Sequence, residues 1–182
     1  MDSHPDILDR PPLPEVVPLP HADWASSTSL RVSIVEGPTV NLWSIETAME
    51  GKSEGELKVQ LHPDQCLVVG RQEGGEIEYL DPRYQPTRMV PNSTRPVVTS
   101  LRNGTDVCVS RGHFMLRGSI NGILLLNGVP RRGGGIRPPK NGTVMLEPDH
   151  RAMDDGEEFL IERGAVAKFR LPNGTVILLR AE

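Results

Sequence analysis

Glycine and proline interrupt this chain so often that long helices have little room to form. The 182 residues include 18 Gly and 17 Pro. Both favour turns, glycine by reaching positive φ and proline by removing a backbone donor. Between these interruptions the apolar residues alternate. Leu30, Val32 and Ile34 stand two apart, with Arg31 and Ser33 between them, which is the period of a strand with one buried face. Leu57-Lys58-Val59-Gln60-Leu61 repeats the pattern, whereas Cys66-Leu67-Val68-Val69 is continuously apolar, as an interior strand is. Further strands are expected at Thr39 to Ile45, Glu76 to Leu80, Val97 to Leu101, His113 to Leu116 and Ile123 to Leu126. Val144 to Leu146, Glu158 to Glu162, Ala167 to Leu171 and Val176 to Leu179 complete the set, with Asn173-Gly174 as a hairpin turn. About eleven short strands and no convincing helix predict an all-β fold, an antiparallel β-sandwich.

Charge divides the chain more sharply than its net value of -4 implies. Residues 1–28 carry six prolines and five acids against Arg10, and are expected to form a flexible, acidic N-terminal arm ahead of a sandwich spanning 29–182. Residues 83–140 hold ten bases and one acid, Asp106. That excess points to an anionic partner if the bases share a face. Within it, residues at about 83–105, with Arg83, Arg88, Arg95 and Arg102, read as an insertion between strands. A second expectation is that the acidic arm folds over the basic segment; Ser26-Ser27-Thr28-Ser29 reads either as a simple loop or as a phosphorylation patch, with Thr28 then an internal ligand.

Several classes fall away. No apolar run approaches the roughly 18 residues of a membrane span. The N-terminus, with Asp2, Asp6 and Asp9, lacks the basic-then-apolar order of a signal peptide, so a cytoplasmic protein without a membrane partner is expected. Cys66 and Cys108 both lie in apolar runs and read as buried thiols. Gly133-Gly134-Gly135 has no Gly-Lys-Ser/Thr for a nucleotide phosphate. Glu147, Asp149, His150, Asp154 and Asp155 match no metal-ligand spacing and read as a solvated acidic loop. Nucleic acid is not expected either, since Tyr84 and Phe114 are the only aromatics of the basic segment. No cofactor, metal or catalytic residue is assigned.

Four short motifs remain, in order: Gly70-Arg71, Ser110-Arg111-Gly112-His113, Ser119-Ile120-Asn121-Gly122 and Asn127-Gly128. Over roughly residues 30–180 this order resembles the forkhead-associated (FHA) domain, a β-sandwich that recognises phosphothreonine. The resemblance implies a non-enzymatic adaptor module in Ser/Thr kinase signalling, partnered by a phosphothreonine-containing protein or peptide. Arg71 and Ser110 would hold the phosphate, Arg111 would assist, and Asn121 would hold the peptide backbone. Gly70, His113, Gly122, Asn127 and Gly128 would be structural. The residue types suit the task. A phosphothreonine brings about -1.5 to -2 charges and three acceptor oxygens, which a guanidinium meets with paired, charge-assisted donors. Read without the resemblance, Arg71 is a solvated charge after a strand, Ser110 a turn former and Asn127-Gly128 a turn. The sequence departs from the family pattern at Ile120, where Thr or Ser is usual, and in the 27 residues from 83 to 109. These departures motivate the alternative of an FHA-like scaffold that binds a protein without phosphate.

Overall fold

The computed structural model describes residues 27–37, 43–45, 56–61, 63, 66–71, 78–81, 97–101 and 108–182. The expected arm up to residue 26 and Arg83, Arg88, Arg95 and Arg102 of the expected insertion lie outside the described residues. Among those described there is no helix, and two six-stranded sheets face each other as a sandwich.

The first sheet begins with β1 (Thr28–Glu36), flanked by β3 (Glu56–Leu61) and by the last strand, β14 (Val176–Ala181). Outward from β14 come β13 (Val166–Arg170), β10 (Val144–Glu147) and the two-residue β11 (Arg151–Ala152). The second sheet has β4 (Cys66–Gly70) and β6 (Phe114–Ser119) at its centre. On one side lie β7 (Gly122–Leu126) and β12 (Glu158–Glu162), on the other β5 (Val97–Leu101) and β2 (Trp43–Ile45). All pairings are antiparallel except β4 with β5, which run parallel. Part of the expected insertion is therefore a strand of the main sheet. A small ribbon of β8 (Val129–Pro130) and β9 (Ile136–Arg137) stands apart from both.

Period-two alternation decides which side chains meet between the sheets. From the first sheet come Leu30, Val32, Met145, Ala167, Phe169, Ile177 and Leu179. They pack against Leu67, Val69, Phe114, Leu116, Ile123, Leu125 and Ile161 of the second. Phe159 meets Phe169 edge-on at 6.2 Å, a favourable quadrupole arrangement. The continuous apolar run of β4 has a separate cause. Cys66 and Val68 point away from the main core, and with Met115 and Leu126 they form a second cluster under Leu80, Val129 and Tyr79. The outer face of the second sheet is thus covered near its centre, and β4 is buried on both sides.

Several expectations are corrected. The sandwich begins at Thr28, whose side chain is fully buried and donates to Ser119 O at 3.3 Å. Thr28 therefore presents no hydroxyl to a kinase and cannot serve as an internal ligand. The expected strand at Glu76 to Leu80 is a turn at residues 78–79, after which Leu80 makes a single bridge to Arg131. Cys108 is exposed, although Cys66 is buried as expected. The pieces β8, β9 and β11 are two residues each, too short for a periodic signal.

Truncating Phe169, which is fully buried at the centre of the core, should cost about 3–5 kcal/mol of unfolding free energy. Ile120→Ser, at a position 74% exposed, should stay within about 0.5 kcal/mol of the parent. Urea denaturation of both variants measures the contrast; equal losses would contradict this account of the core.

Candidate functional site

Gly70 sets the position of the loop that follows Cys108. A Cβ at residue 70 would stand 2.1 Å from Arg111 O and 2.9 Å from Gly112 Cα, so the 111–112 peptide lies directly on the end of β4. The approach is a steric requirement for glycine, independent of φ. Hydrogen bonds then fix the loop at both ends. His113 N donates to Val69 O at 2.8 Å, and Arg71 N donates to Ser110 O at 2.9 Å. Arg71 Nε donates to Val109 O at 3.1 Å. The guanidinium is held by one edge, and its remaining N–H donors line the adjacent cleft.

His113 joins this loop to a second one. Its side chain is fully buried. Ser110 N donates to Nδ1 at 3.3 Å, so the imidazole proton sits on Nε2, 3.0 Å from Thr143 Oγ1. Thr143 in turn donates to Asn127 Oδ1 at 2.7 Å, and Asn127 Nδ2 donates to Asp154 O at 2.9 Å. The His113, Thr143 and Asn127 side chains are buried, and each has a partner of the right polarity, which a polar network in a core requires. Burial pushes the His113 pKa down to about 4, against a smaller upward pull from the Gly142 backbone. The ring is neutral, consistent with its structural assignment. Asn127 does more than turn the chain. Its backbone also accepts from Gly156 N and donates to Glu157 O, and Gly128 (φ +131°) leaves room for Arg137 O, 2.6 Å from where a Cβ would be.

The second loop, residues 138–143, returns beside the first. Lys140 N donates to Ser110 Oγ at 2.8 Å. With that lone pair engaged, the Ser110 hydroxyl hydrogen is available to an incoming acceptor. Asn141 is exposed, and its Nδ2 donates to Cys108 O at 2.9 Å, which leaves Oδ1 as an acceptor. Tyr79 supports the first loop from the far side, its hydroxyl accepting from Gly112 N at 3.1 Å. These elements surround an open cleft of about 480 Å³, lined by Arg71, Glu78, Tyr79, Ser110, Arg111, Arg137, Pro138 and Lys140. Among the described lining residues four cations face one carboxylate, an arrangement suited to an anion.

The predicted site residues divide. Arg71, Ser110 and Arg111 line this cleft, with Gly70 and His113 directly beneath them. Asn121 does not join them. It sits in the hairpin between β6 and β7, at the end of β6 away from Ser110, and its carbonyl accepts from Arg163 N. Gly122 (φ +150°) closes that same hairpin, where a Cβ would meet Ile161 O at 2.1 Å. Ile120, on the same tip, is also remote from the cleft, so its departure from the family pattern has no bearing there. The asparagine beside Ser110 is Asn141, which belongs to none of the four motifs. Its signal was the Asn141-Gly142-Thr143 triplet: a buried histidine needs a polar partner, and Thr143 supplies it. Arg137 and Lys140 had no motif to mark them, and nothing in the sequence marked Tyr79 as a site residue.

The acidic loop is internally satisfied at Glu157. Hydrogen bonds from Arg151, and from Asp154 N at 2.8 Å, hold its carboxyl below the usual range. Among the described residues no three His, Cys, Asp or Glu side chains gather as a metal site. Neither family models, nor curated proteins, nor solved structures match this chain.

The network has a measurable consequence. On acidification below about pH 6.5 the unfolded imidazole takes up a proton that buried His113 refuses until about pH 4. Stability is complete above that range and falls as the pH drops through it, with a slope approaching about 1.4 kcal/mol per pH unit. Comparing wild type with His113→Gln in denaturant titrations from pH 7 to 5 isolates this slope. An identical pH dependence in the variant would contradict a buried neutral His113.

Proposed function

We propose that this chain is a non-enzymatic phosphothreonine-binding module of the FHA type, an adaptor that docks a phosphorylated protein or peptide. The observation that carries the reading is the Ser110 hydroxyl. It is held by Lys140 N–H at 2.8 Å in a cleft where, among the described lining residues, cations outnumber carboxylates. A phosphate monoester in that cleft would accept from Ser110 Oγ–H and from the outer N–H groups of Arg71, with Arg111 as a further donor. Asn141, in place of Asn121, would present its amide to the peptide backbone. The ordered motifs Gly70-Arg71 and Ser110-Arg111-Gly112-His113 support the same reading, and so does the support that Gly70 and His113 give the loop. Nothing in this reading requires a reaction: His113 is buried, neutral and committed to Ser110 N and Thr143.

The scaffold alternative drew its force from Ile120, which lies away from the cleft, and from residues 83–109, most of which lie outside the described residues. A phosphothreonine peptide library tests the proposal. Binding should vanish on dephosphorylation, and Arg71→Ala should weaken the best peptide by on the order of 2 kcal/mol, about 30-fold. Ser110→Ala should cost about 1 kcal/mol or more. Peptides that bind equally well with and without phosphate would overturn it.

A further inference from the structure

We infer that the cleft receives a second anionic group besides the phosphate, and that Arg137, laid on Tyr79, is the residue that selects it. The inference rests on the phosphothreonine reading above and extends it to the class of ligand. Arg71, Arg111, Arg137 and Lys140 line the cleft, and among the described residues Glu78 is the one acid in its lining. None of the four has a carboxylate partner among the described residues. Elsewhere on the described surface several cations are paired: Arg31 and Lys58 share Glu182, Arg31 also meets Glu56, Lys168 meets Glu147, and Arg151 meets Glu157. Four cations without a carboxylate partner among the described residues line this one cleft. A single phosphothreonine carries about -1.5 to -2 charges, enough for about two of the four.

Arg137 is built differently from the others. Its guanidinium carbon stands 3.9 Å over the centroid of the Tyr79 ring, within cation–π range. The Tyr79 hydroxyl is bonded to Gly112 N, so the ring that supports Arg137 is tied to the loop carrying Ser110. Stacking occupies the face of a guanidinium and leaves its in-plane donors for a bidentate acceptor. The strip continues past it. Arg131 and Arg132 are exposed in the loop between β8 and β9, and Arg132 N donates to Tyr79 O at 2.7 Å. A ligand crossing from Ser110 toward that loop would meet cations along its path. The second group is an oxyanion, either the carboxylate of an acidic side chain or a second phosphate.

Fluorescence anisotropy with the intact chain separates these cases. One phosphothreonine peptide with neutral flanks is compared with versions carrying Glu, or a second phosphorylated residue, at each flanking position in turn. At one or two positions the added anion should tighten binding about tenfold. In Arg137→Gln that gain should shrink to about twofold or less, while Arg137→Lys should keep most of it. Tyr79→Phe retains the ring and should preserve the gain even if overall affinity drops, which distinguishes anion selection from loop support. Gain from Glu identifies an acidic sequence; gain from phosphate alone identifies a doubly phosphorylated one. If neutral phosphothreonine peptides bind yet no position gains, or if Arg137→Gln keeps the full gain, the inference is overturned alone. If no phosphothreonine peptide binds, the functional reading falls and this inference with it.

Discussion

The contact between the imidazole of His113 and its two neighbours holds the candidate site together. One ring nitrogen accepts from Ser110 N and the other faces Thr143 Oγ1, so a single neutral side chain spans the loop after Cys108 and the loop ending at Thr143. Neither loop is a regular element that would hold its own shape. The ring must be uncharged to accept at Nδ1, and its burial keeps it so. From it follow the placement of Ser110, the approach of Lys140 N–H to the serine hydroxyl, and the extension of the network through Asn127 to the chain at Asp154. A catalytic role would require this histidine to exchange a proton near neutral pH, which its surroundings oppose.

Gly70 is the complementary constraint from below. The 111–112 peptide rests where a side chain would otherwise be, and Arg71 is gripped by the backbone it faces. The pair Gly70-Arg71 is therefore a device in which the first residue clears space and the second fills the cleft. A binding site assembled this way is set before a ligand arrives, which limits the ordering cost of association.

The strands with a clear period of two were legible because each has one face on the core, as Leu30, Val32 and Ile34 show. The continuous run at Cys66–Val69 also told the truth about its burial, although its covering by Leu80 and Val129 is a tertiary fact. The two-residue strands were not legible, since two residues carry no period. The site was legible where a residue sits next to its motif in sequence: Arg71 after Gly70, and Ser110 three places before His113. It was misread at Asn121. Several Asn-Gly pairs follow His113, and local sequence does not say which of them returns to Ser110. Strand direction decides it. β6 carries the chain away from the cleft to the Asn121 hairpin, and only after β7, β8 and β9 does it come back at Asn141.

The same geometry gives the most direct test of the central claim, that the cleft between the Ser110 and Asn141 loops receives a phosphothreonine. Backbone amide NMR during titration with a phosphothreonine peptide reports on both ends of the sandwich at once. The account predicts large shifts at Arg71, Ser110, Arg111, Lys140 and Asn141, absent with the dephosphorylated peptide, and little change at Ile120, Asn121 or Gly122. Shifts centred on the Ile120–Gly122 hairpin, or equal responses to the two peptides, would contradict it.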